Sequence, residues 1–497
     1  MGTDDITGFG LVVLLVSGAL VLALLANRLS AVLRVPAPAM FLVGAAIASD
    51  VWPALGDLTE RLDERIVTVA LIVVLFDGGM GIGWRRFRRA TGAVLWIGIA
   101  GTVVTAAGLA AAAHLLFGFD WRVALLLGTA LAPTDPAVVF SVLGGREITG
   151  RTGTILEGES GANDPVGIAI LVAILGATGG GVGAVLSGVG DFALQMSVGL
   201  AVGVVGGLGL RWVTQHVQLP NEGLYPLRTL TGAAAIYGLA AVAHGSGFLA
   251  VFLAGILVGD TQGPYKAEIE RFTSALASLA EIVAFTILGL TVSVTNLFSG
   301  SDLLVGLALA GLMILLVRPV LVGLLLIPVK LSRNERIFVL WAGLKGAVPI
   351  LLGIFLLNAN INDGARVYRI IFVVVLVSVV VQGGSVPAVA RLLRIPMRAQ
   401  PPEPYAIGLR LRQAPEGLLR YTVEHGAPAD GALVSDLDLG PGAWLSLAAR
   451  DGELVDLGAD TRLRADDEVL LHGQGGVEVA PLFTVPRRGS EPGPGHG

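Results

Sequence analysis

Leu131-Ala132-Pro133-Thr134-Asp135-Pro136 lies in the middle of an apolar run that begins near Arg122. A run of about 20 apolar residues is long enough to cross a bilayer as a helix. Two prolines three positions apart remove two backbone donors and crowd the preceding turn, so a regular helix does not pass through them. Broken helices at membrane depth are tolerated only where they line a cavity or are buried in protein. The hexapeptide therefore predicts a membrane span that is interrupted at its centre. Freed carbonyls, the Thr134 hydroxyl and the Asp135 carboxylate then face a common point. A plain proline kink is the bland alternative. The aspartate held between the prolines favours a site.

The rest of the chain fits a membrane protein. It has 497 residues, of which 54% are hydrophobic and 14% charged, whereas soluble domains carry about 25% charge. Its 69 glycines are roughly twice the usual share of about 7% and suit tightly packed membrane helices. There is no cysteine, which excludes disulfides, thiol catalysis and Cys-ligated metals, and only 6 histidines are present. A formal charge of −5 with no basic arm excludes a nucleic-acid binder.

Thirteen apolar runs begin near Gly8, Val35, Ile66, Gly92, Arg122, Thr154, Gly188, Leu227, Gly247, Ala275, Leu303, Glu335 and Tyr368. The second and ninth are short enough to be tilted or half-inserted. The first lacks a small-residue cleavage site and is read as a retained helix. Connections after odd-numbered runs hold 18 Lys and Arg, and those after even-numbered runs hold 5. Positive charge marks the cytoplasmic side, so the N-terminus is expected outside and the C-terminus in the cytoplasm of a multi-pass cell-membrane protein.

Composition changes near residue 400. Gln400-Pro401-Pro402-Glu403-Pro404 reads as a stiff linker. Residues 401–497 hold 15 acidic and 8 basic residues, a net −7, whereas residues 1–400 are near neutral at +2. Strands are expected around Leu419 to Val423, Trp444 to Ala448 and Glu468 to His472, with a hairpin at Arg450-Asp451-Gly452-Glu453. The expected division is a transmembrane domain over 1–398, a small cytoplasmic α+β domain over 399–485 and a disordered tail over 486–497.

Of the 25 basic residues in 1–400, only Arg318 and Lys345 fall inside spans. The span acids are Asp135, Glu157, Glu159, Asp164 and Glu281, with Asp77 near a span end. An ionisable group at mid-membrane costs roughly 2.5 kcal/mol or more, so each is a functional candidate, with a structural ion pair as the bland reading. Acids outnumber cations, so pairing alone cannot neutralise them all. The excess suits proton or cation handling.

The sixth run contains Glu157-Gly158-Glu159-Ser160-Gly161-Ala162-Asn163-Asp164-Pro165. Helical spacing sets Ser160 with Asp164 and Glu159 with Asn163 at i,i+4. A buried carboxylate there can carry a proton or a dehydrated Na+ or K+, and competition between them is the core of exchange. Gly158-Glu159-Ser160-Gly161 superficially resembles a serine-hydrolase elbow but lacks one residue of its spacing, and no histidine lies in a span core beside it. No enzymatic activity and no resident cofactor are expected.

At these residues the chain resembles the monovalent cation:proton antiporter family, in its NhaP-like branch. The matching segments are Leu75-Phe76-Asp77-Gly78-Gly79, Ala132 to Pro136, Gly158 to Pro165, Leu279-Ala280-Glu281-Ile282, Arg318-Pro319 and Gly343-Leu344-Lys345-Gly346-Ala347. The resemblance implies an all-α polytopic membrane protein of about 13 helices with inverted repeats and two broken helices. It also implies a homodimer and elevator-like alternating access. By the same resemblance Asp164 binds the cation and the proton, and Thr134 and Asp135 lie where the broken helices cross. Asn163 and Ser160 assist, and Glu159 pairs with Arg318. An Asn-Asp pair in this family goes with electroneutral 1:1 exchange. Lys345 departs from the more frequent arginine. Glu157, Lys345, Glu281 and Asp77 are accessory candidates.

The tail resembles a TrkA-C or RCK-C regulatory domain through Tyr421-Thr422-Val423, Gly426, Pro428, Ser435 to Leu439, Arg450 to Glu453 and Leu463 to Leu470. No Gly-x-Gly-x-x-Gly fold precedes it, so dinucleotide binding is not expected. Such domains dimerise and take small ligands, cyclic di-AMP among them. This likeness points to the potassium/proton, cell-volume-regulation branch and favours K+, with Na+ next. A passive dimerisation module is the bland reading of the tail. A ligand-gated potassium channel and a cation-coupled solute symporter are the competing classes, though no Thr-Val-Gly-Tyr-Gly-like filter is present.

Overall fold

The computed structural model describes residues 36–52, 60–136, 146–148, 150–177, 182–261, 265–298, 300–359, 363–399, 418–440, 443–450, 453–473 and 479–484, with isolated positions between them. The run near Gly8 lies almost wholly outside these residues, as do the linker 400–404, positions 451–452 and the segment 485–497. The chain forms two compact units, Met1–Glu403 and Pro404–Gly497.

Among the described residues, the regular structure of the first unit is helical apart from one short strand pair. Its main helices are α1 (Ala37–Val51), α2 (Glu60–Leu95), α3 (Thr102–Phe117), α4 (Trp121–Ala130), α5 (Arg151–Gly176), α6 (Val182–His216) and α7 (Leu224–Val242). They are followed by α8 (Gly247–Gly259), α9 (Lys266–Leu290), α10 (Asp302–Leu312), α11 (Arg333–Trp341), α12 (Ala347–Asn358), α13 (Gly364–Val377) and α14 (Gly384–Leu392). Each apolar run from Val35 onward coincides with one of these helices or with a pair of them.

Five helical stretches among the described residues are long and apolar enough to cross a membrane: Leu62–Phe117, Val185–His216, Lys266–Leu290, Asp302–Leu325 and Gly364–Leu392. The 56 residues of Leu62–Phe117 would be about 84 Å long if straight, far beyond a hydrocarbon core of about 30 Å. The stretch bends at Gly83, whose φ of 66° and ψ of 160° leave helical space. Helix α5 has 26 residues, about 39 Å, so length does not limit it. Its carboxylates make it less apolar than the others.

Helix α8 packs chiefly on α2 and α6. A Cβ on Gly255 or Gly259 would enter the α2 backbone at Phe76 or Met80, and one on Gly79 would enter the α8 backbone at Phe252. This crossing is made backbone to backbone, and it shows where part of the glycine surplus goes.

Strand β1 (Arg146–Ile148) pairs antiparallel with β2 (Met397–Ala399), joining the segment before α5 to the segment after α14. The second unit holds four antiparallel strands, β3 (Leu418–Thr422), β4 (Ala443–Arg450), β5 (Glu453–Val455) and β6 (Glu468–Gly473), in the order β3-β6-β4-β5. Its core gathers Val423, Ala448, Leu463, Val469, Leu471 and Phe483 on one face of that sheet. The three strands expected from sequence begin within a residue of those observed.

Candidate functional site

Helix α4 stops at Ala130, and the chain runs non-helically through Leu131 to Pro136. A second interruption separates α11 from α12 at Ala342 to Gly346. The two breaks meet: the Asp135 N–H donates to the Leu344 carbonyl at 2.9 Å. A Cβ on Gly346 would fall into the Asp135 carboxylate, so only glycine permits the contact.

Lys345 is wholly buried. Its ammonium donates to the Ala132 carbonyl at 2.8 Å and to the Pro133 carbonyl at 3.0 Å. The helical donor for Ala132 would be the N–H of residue 136, which is proline and has none. Lys345 supplies that missing donor at the negative end of the α4 dipole. This geometry gives a physical place to a residue whose role the sequence left open.

The second break is held from another side. The Lys345 N–H donates to Ser378 Oγ at 3.0 Å, and Ser378 Oγ donates to Gln382 Oε1 at 2.7 Å. Gln382 Nε2 returns to the Trp341 carbonyl at 2.8 Å. Both side chains lie on the π-helical segment Ser378–Gly383 between α13 and α14. Neither was singled out from sequence. A polar pair at i,i+4 within an apolar run was the available signal.

Helix α5 crosses the first break. Asn163 Nδ2 donates to Thr134 Oγ1 at 2.6 Å, and the Thr134 N–H donates to Asn163 Oδ1 at 3.3 Å. The reciprocal pair satisfies a backbone donor that the lost helix left over. Ser160 and Asp164, one turn apart on α5, are both 5% exposed. Asp164 lies within electrostatic reach of Asp135 and Lys345. Its Oδ1 is buried and has no hydrogen-bond partner among the described residues.

Glu159 and Arg318 form a buried ion pair, Arg318 Nη2 to Glu159 Oε1 at 2.8 Å. Arg318 also donates from Nε to the Leu340 carbonyl at 3.0 Å and from Nη2 to the Val339 carbonyl at 3.3 Å. These are carbonyls at the end of α11, so one guanidinium ties α5 to the second break. A Cβ on Gly343 would occupy the space of that guanidinium.

The accessory candidates spread more widely. Glu157 lies half-buried one turn before Ser160 on α5. Glu281, on α9, comes within electrostatic reach of Asp135. Asp77, on α2, comes within reach of Glu270 and is not joined to the crossing by any hydrogen bond among the described residues. No group of three or more His, Asp or Glu among the described residues converges as a multivalent metal site. What the crossing offers is the Asp164 carboxylate, whose Oδ1 has no partner among the described residues, close to hydroxyls and carbonyls. Such a set can take a proton or a hard monovalent cation.

Comparison with known proteins agrees with this architecture. The profile of the sodium/hydrogen exchanger, transmembrane family matches residues 11–392. The K(+)/H(+) antiporter NhaP of Alkalimonas amylolytica is 32% identical over 93% of this chain and 81% of its own length. The K(+)/H(+) antiporter NhaP2 of Shewanella oneidensis is 32% identical over 95% of this chain and 82% of its own length. The solved structure of the sodium proton antiporter MjNhaP1 from Methanocaldococcus jannaschii at pH 8 shares the fold, with a TM-score of 0.66 at 23% identity over 76% of this chain and 99% of that chain. The family profile spans both breaks and the α5 carboxylates that meet there, and the chain belongs to the sodium/hydrogen exchanger family.

Proposed function

We propose that the chain exchanges a monovalent cation for H+ across the membrane, with K+ favoured and Na+ next, and that Asp164 carries either ion. The observation that supports this most is the buried Asp164 Oδ1, which has no hydrogen-bond partner among the described residues, beside Asn163, Thr134 and Lys345 groups that are paired. An ionised carboxylate at that depth costs at least about 2.5 kcal/mol. A bound proton or a bound monovalent cation each cancels that charge. The two loaded forms then cross at similar cost and the empty, charged form does not, which couples the fluxes.

Asn163 stands beside Asp164 where a second acid would add a charge. One titrating carboxylate carries one ion at a time, which suits electroneutral 1:1 exchange. The two crossed breaks, inside a 13-helix inverted-repeat domain, are the parts that an elevator-like motion would carry between the two sides. Thr134, Asp135, Asn163 and Ser160 complete the ion site, Glu159 and Arg318 hold its frame, and Glu157, Glu281 and Asp77 line the approach. Antiport names on relatives that align over most of the chain favour this reading. K+ is preferred because those names specify it and because the tail resembles a TrkA-C or RCK-C domain. That tail is read as a cytoplasmic regulatory unit that binds a small ligand of the cyclic di-AMP kind, in a homodimer whose N-termini face outward.

The test is proton flux in proteoliposomes given K+, Na+ or Li+ in turn, across pH, for the full chain and for Asp164→Asn. The expected outcome is cation-driven proton movement, strongest with K+, that the variant abolishes. Single-channel currents in the same vesicles would overturn exchange in favour of a channel. Equal activity in Asp164→Asn would move the site elsewhere.

A further inference from the structure

The bend at Gly83 launches a helix whose outer face is divided along its length. The Asp260 carboxylate, just past α8, accepts the Arg85 N–H at 2.5 Å and caps the restarted helix. Phe87, Ala90 and Val94 point inward and pack with Ala162 of α5 and with Phe252 and Ile256 of α8. The opposite face begins with Arg85, Arg88 and Arg89, all exposed. It continues at helical spacing with exposed Leu95, Trp96, Ile99 and Val103. Trp84, also exposed, flanks the arginines.

The guanidinium groups of Arg85, Arg88 and Arg89 have no hydrogen-bond or ion-pair partner among the described residues. The Asp260 carboxylate at the start of this helix is taken up by the backbone N–H of Arg85. From Arg89 to Val103 the rise is about 21 Å, which covers a headgroup layer and one leaflet of a hydrocarbon core about 30 Å thick. The Trp96 indole N–H donates to the Leu325 carbonyl at 3.0 Å. That neighbouring segment also exposes Val320 and Leu324, so the apolar half of the stripe has a second wall.

We propose that this stripe binds an anionic phospholipid, its phosphate held by Arg85, Arg88 and Arg89 and its acyl chains laid along Leu95, Trp96, Ile99 and Val103. Three unpaired forks call for a phosphate. The apolar continuation at leaflet depth calls for that phosphate to belong to a lipid and not to a free ion. Charge complementarity alone would suit either, and the apolar stripe decides between them.

The test uses the purified full-length protein in a neutral detergent. Phosphatidylglycerol, phosphatidylcholine or inorganic phosphate is added, and bound lipid is read by native mass spectrometry. Wild type is expected to retain phosphatidylglycerol well above phosphatidylcholine. The triple variant R85Q/R88Q/R89Q is expected to lose retention by on the order of 100-fold, from a factor of about five for each basic residue at a membrane surface. If the triple variant does not insert, Arg88→Gln alone carries the test, with an expected loss of about fivefold. Equal retention by variant and wild type overturns the proposal, as does equal retention of the two lipids. Displacement of phosphatidylglycerol by an equal concentration of inorganic phosphate would also overturn it, by pointing to a free-anion site. None of these outcomes bears on exchange at Asp164, which lies on another helix.

Discussion

Asp164 in the membrane unit and Asp467 in the tail are both buried carboxylates, 5% and 0% exposed, and they are treated in opposite ways. Asp467 receives Arg450 Nε and Nη2, each at 2.8 Å, and the Arg464 N–H at 2.8 Å. Asp164 Oδ1 receives no hydrogen bond among the described residues. A satisfied buried carboxylate is a structural fixture, because removing its charge only removes bonds. An unsatisfied one is a binding site in waiting, because a proton or cation supplies what the fold withholds. The buried Glu159–Arg318 pair lies between these cases: Glu159 Oε1 is bonded, while Oε2 has no partner among the described residues.

The most severe way to probe the contrast is Asp164→Asn. It is expected to reduce cation-driven proton flux to the level of empty liposomes while leaving the fold intact, since no hydrogen bond to Oδ1 is lost. A parallel loss of thermal stability would put Asp164 with the structural carboxylates instead. Glu159→Gln should do the reverse. It leaves Arg318 buried without its counter-charge, at a cost of roughly 3–5 kcal/mol, seen as a lower unfolding midpoint in detergent. Pairing it with Arg318→Met should recover much of that loss. If the double variant is as unstable as the single, the pair is not what holds α5 to the second break.

Asp467→Asn is expected to cost roughly 3 kcal/mol in the tail, read by hydrogen exchange of the Val423 and Leu463 amides in the full chain. Its pH dependence carries a sign. Burial by itself would raise the Asp467 carboxyl, but the hydrogen bonds from Arg450 and the Arg464 N–H outweigh it and hold the group below its ordinary value of 3.8. A depressed carboxyl contributes stability that is fully present above the unfolded value and is lost as pH falls through the folded one. The tail should therefore lose protection below about pH 3.8, and Asp467→Asn should flatten that loss. The smallest effect is expected from Ser378→Ala. It strands the Lys345 N–H and the Gln382 amide oxygen, costing roughly 1–2 kcal/mol, and should lower the maximal exchange rate a few-fold with little change in apparent cation affinity. A large affinity change would mean that Ser378 touches the ion itself.

Much of this was legible in the sequence where the signal is local. Proline spacing in Pro133-Thr134-Asp135-Pro136 marks a break wherever it is buried, because a missing N–H is a property of the residue. Apolar runs mark helices at membrane depth because no other open backbone arrangement satisfies itself there. Alternating runs in the tail marked the strand starts to within a residue. What was not legible joins residues far apart in the chain. Nothing near Lys345 says that its ammonium stands in for the N–H that Pro136 lacks, since the two meet only when the broken helices cross. Ser378 and Gln382 read as ordinary polar residues until Trp341 and Lys345 are placed beside them. The pairing of β1 with β2 has no local sign at all.

Sequence by itself determined which residue types lie at membrane depth, that the helix must break at Pro133 to Pro136, and that carboxylates outnumber the cations available to pair with them. Tertiary structure alone decided which of those carboxylates is satisfied. Hydrogen-bond partnership depends on distances of about 3 Å between segments that are up to hundreds of residues apart. Glu159 found Arg318, Asp467 found Arg450, and Oδ1 of Asp164 found no partner among the described residues.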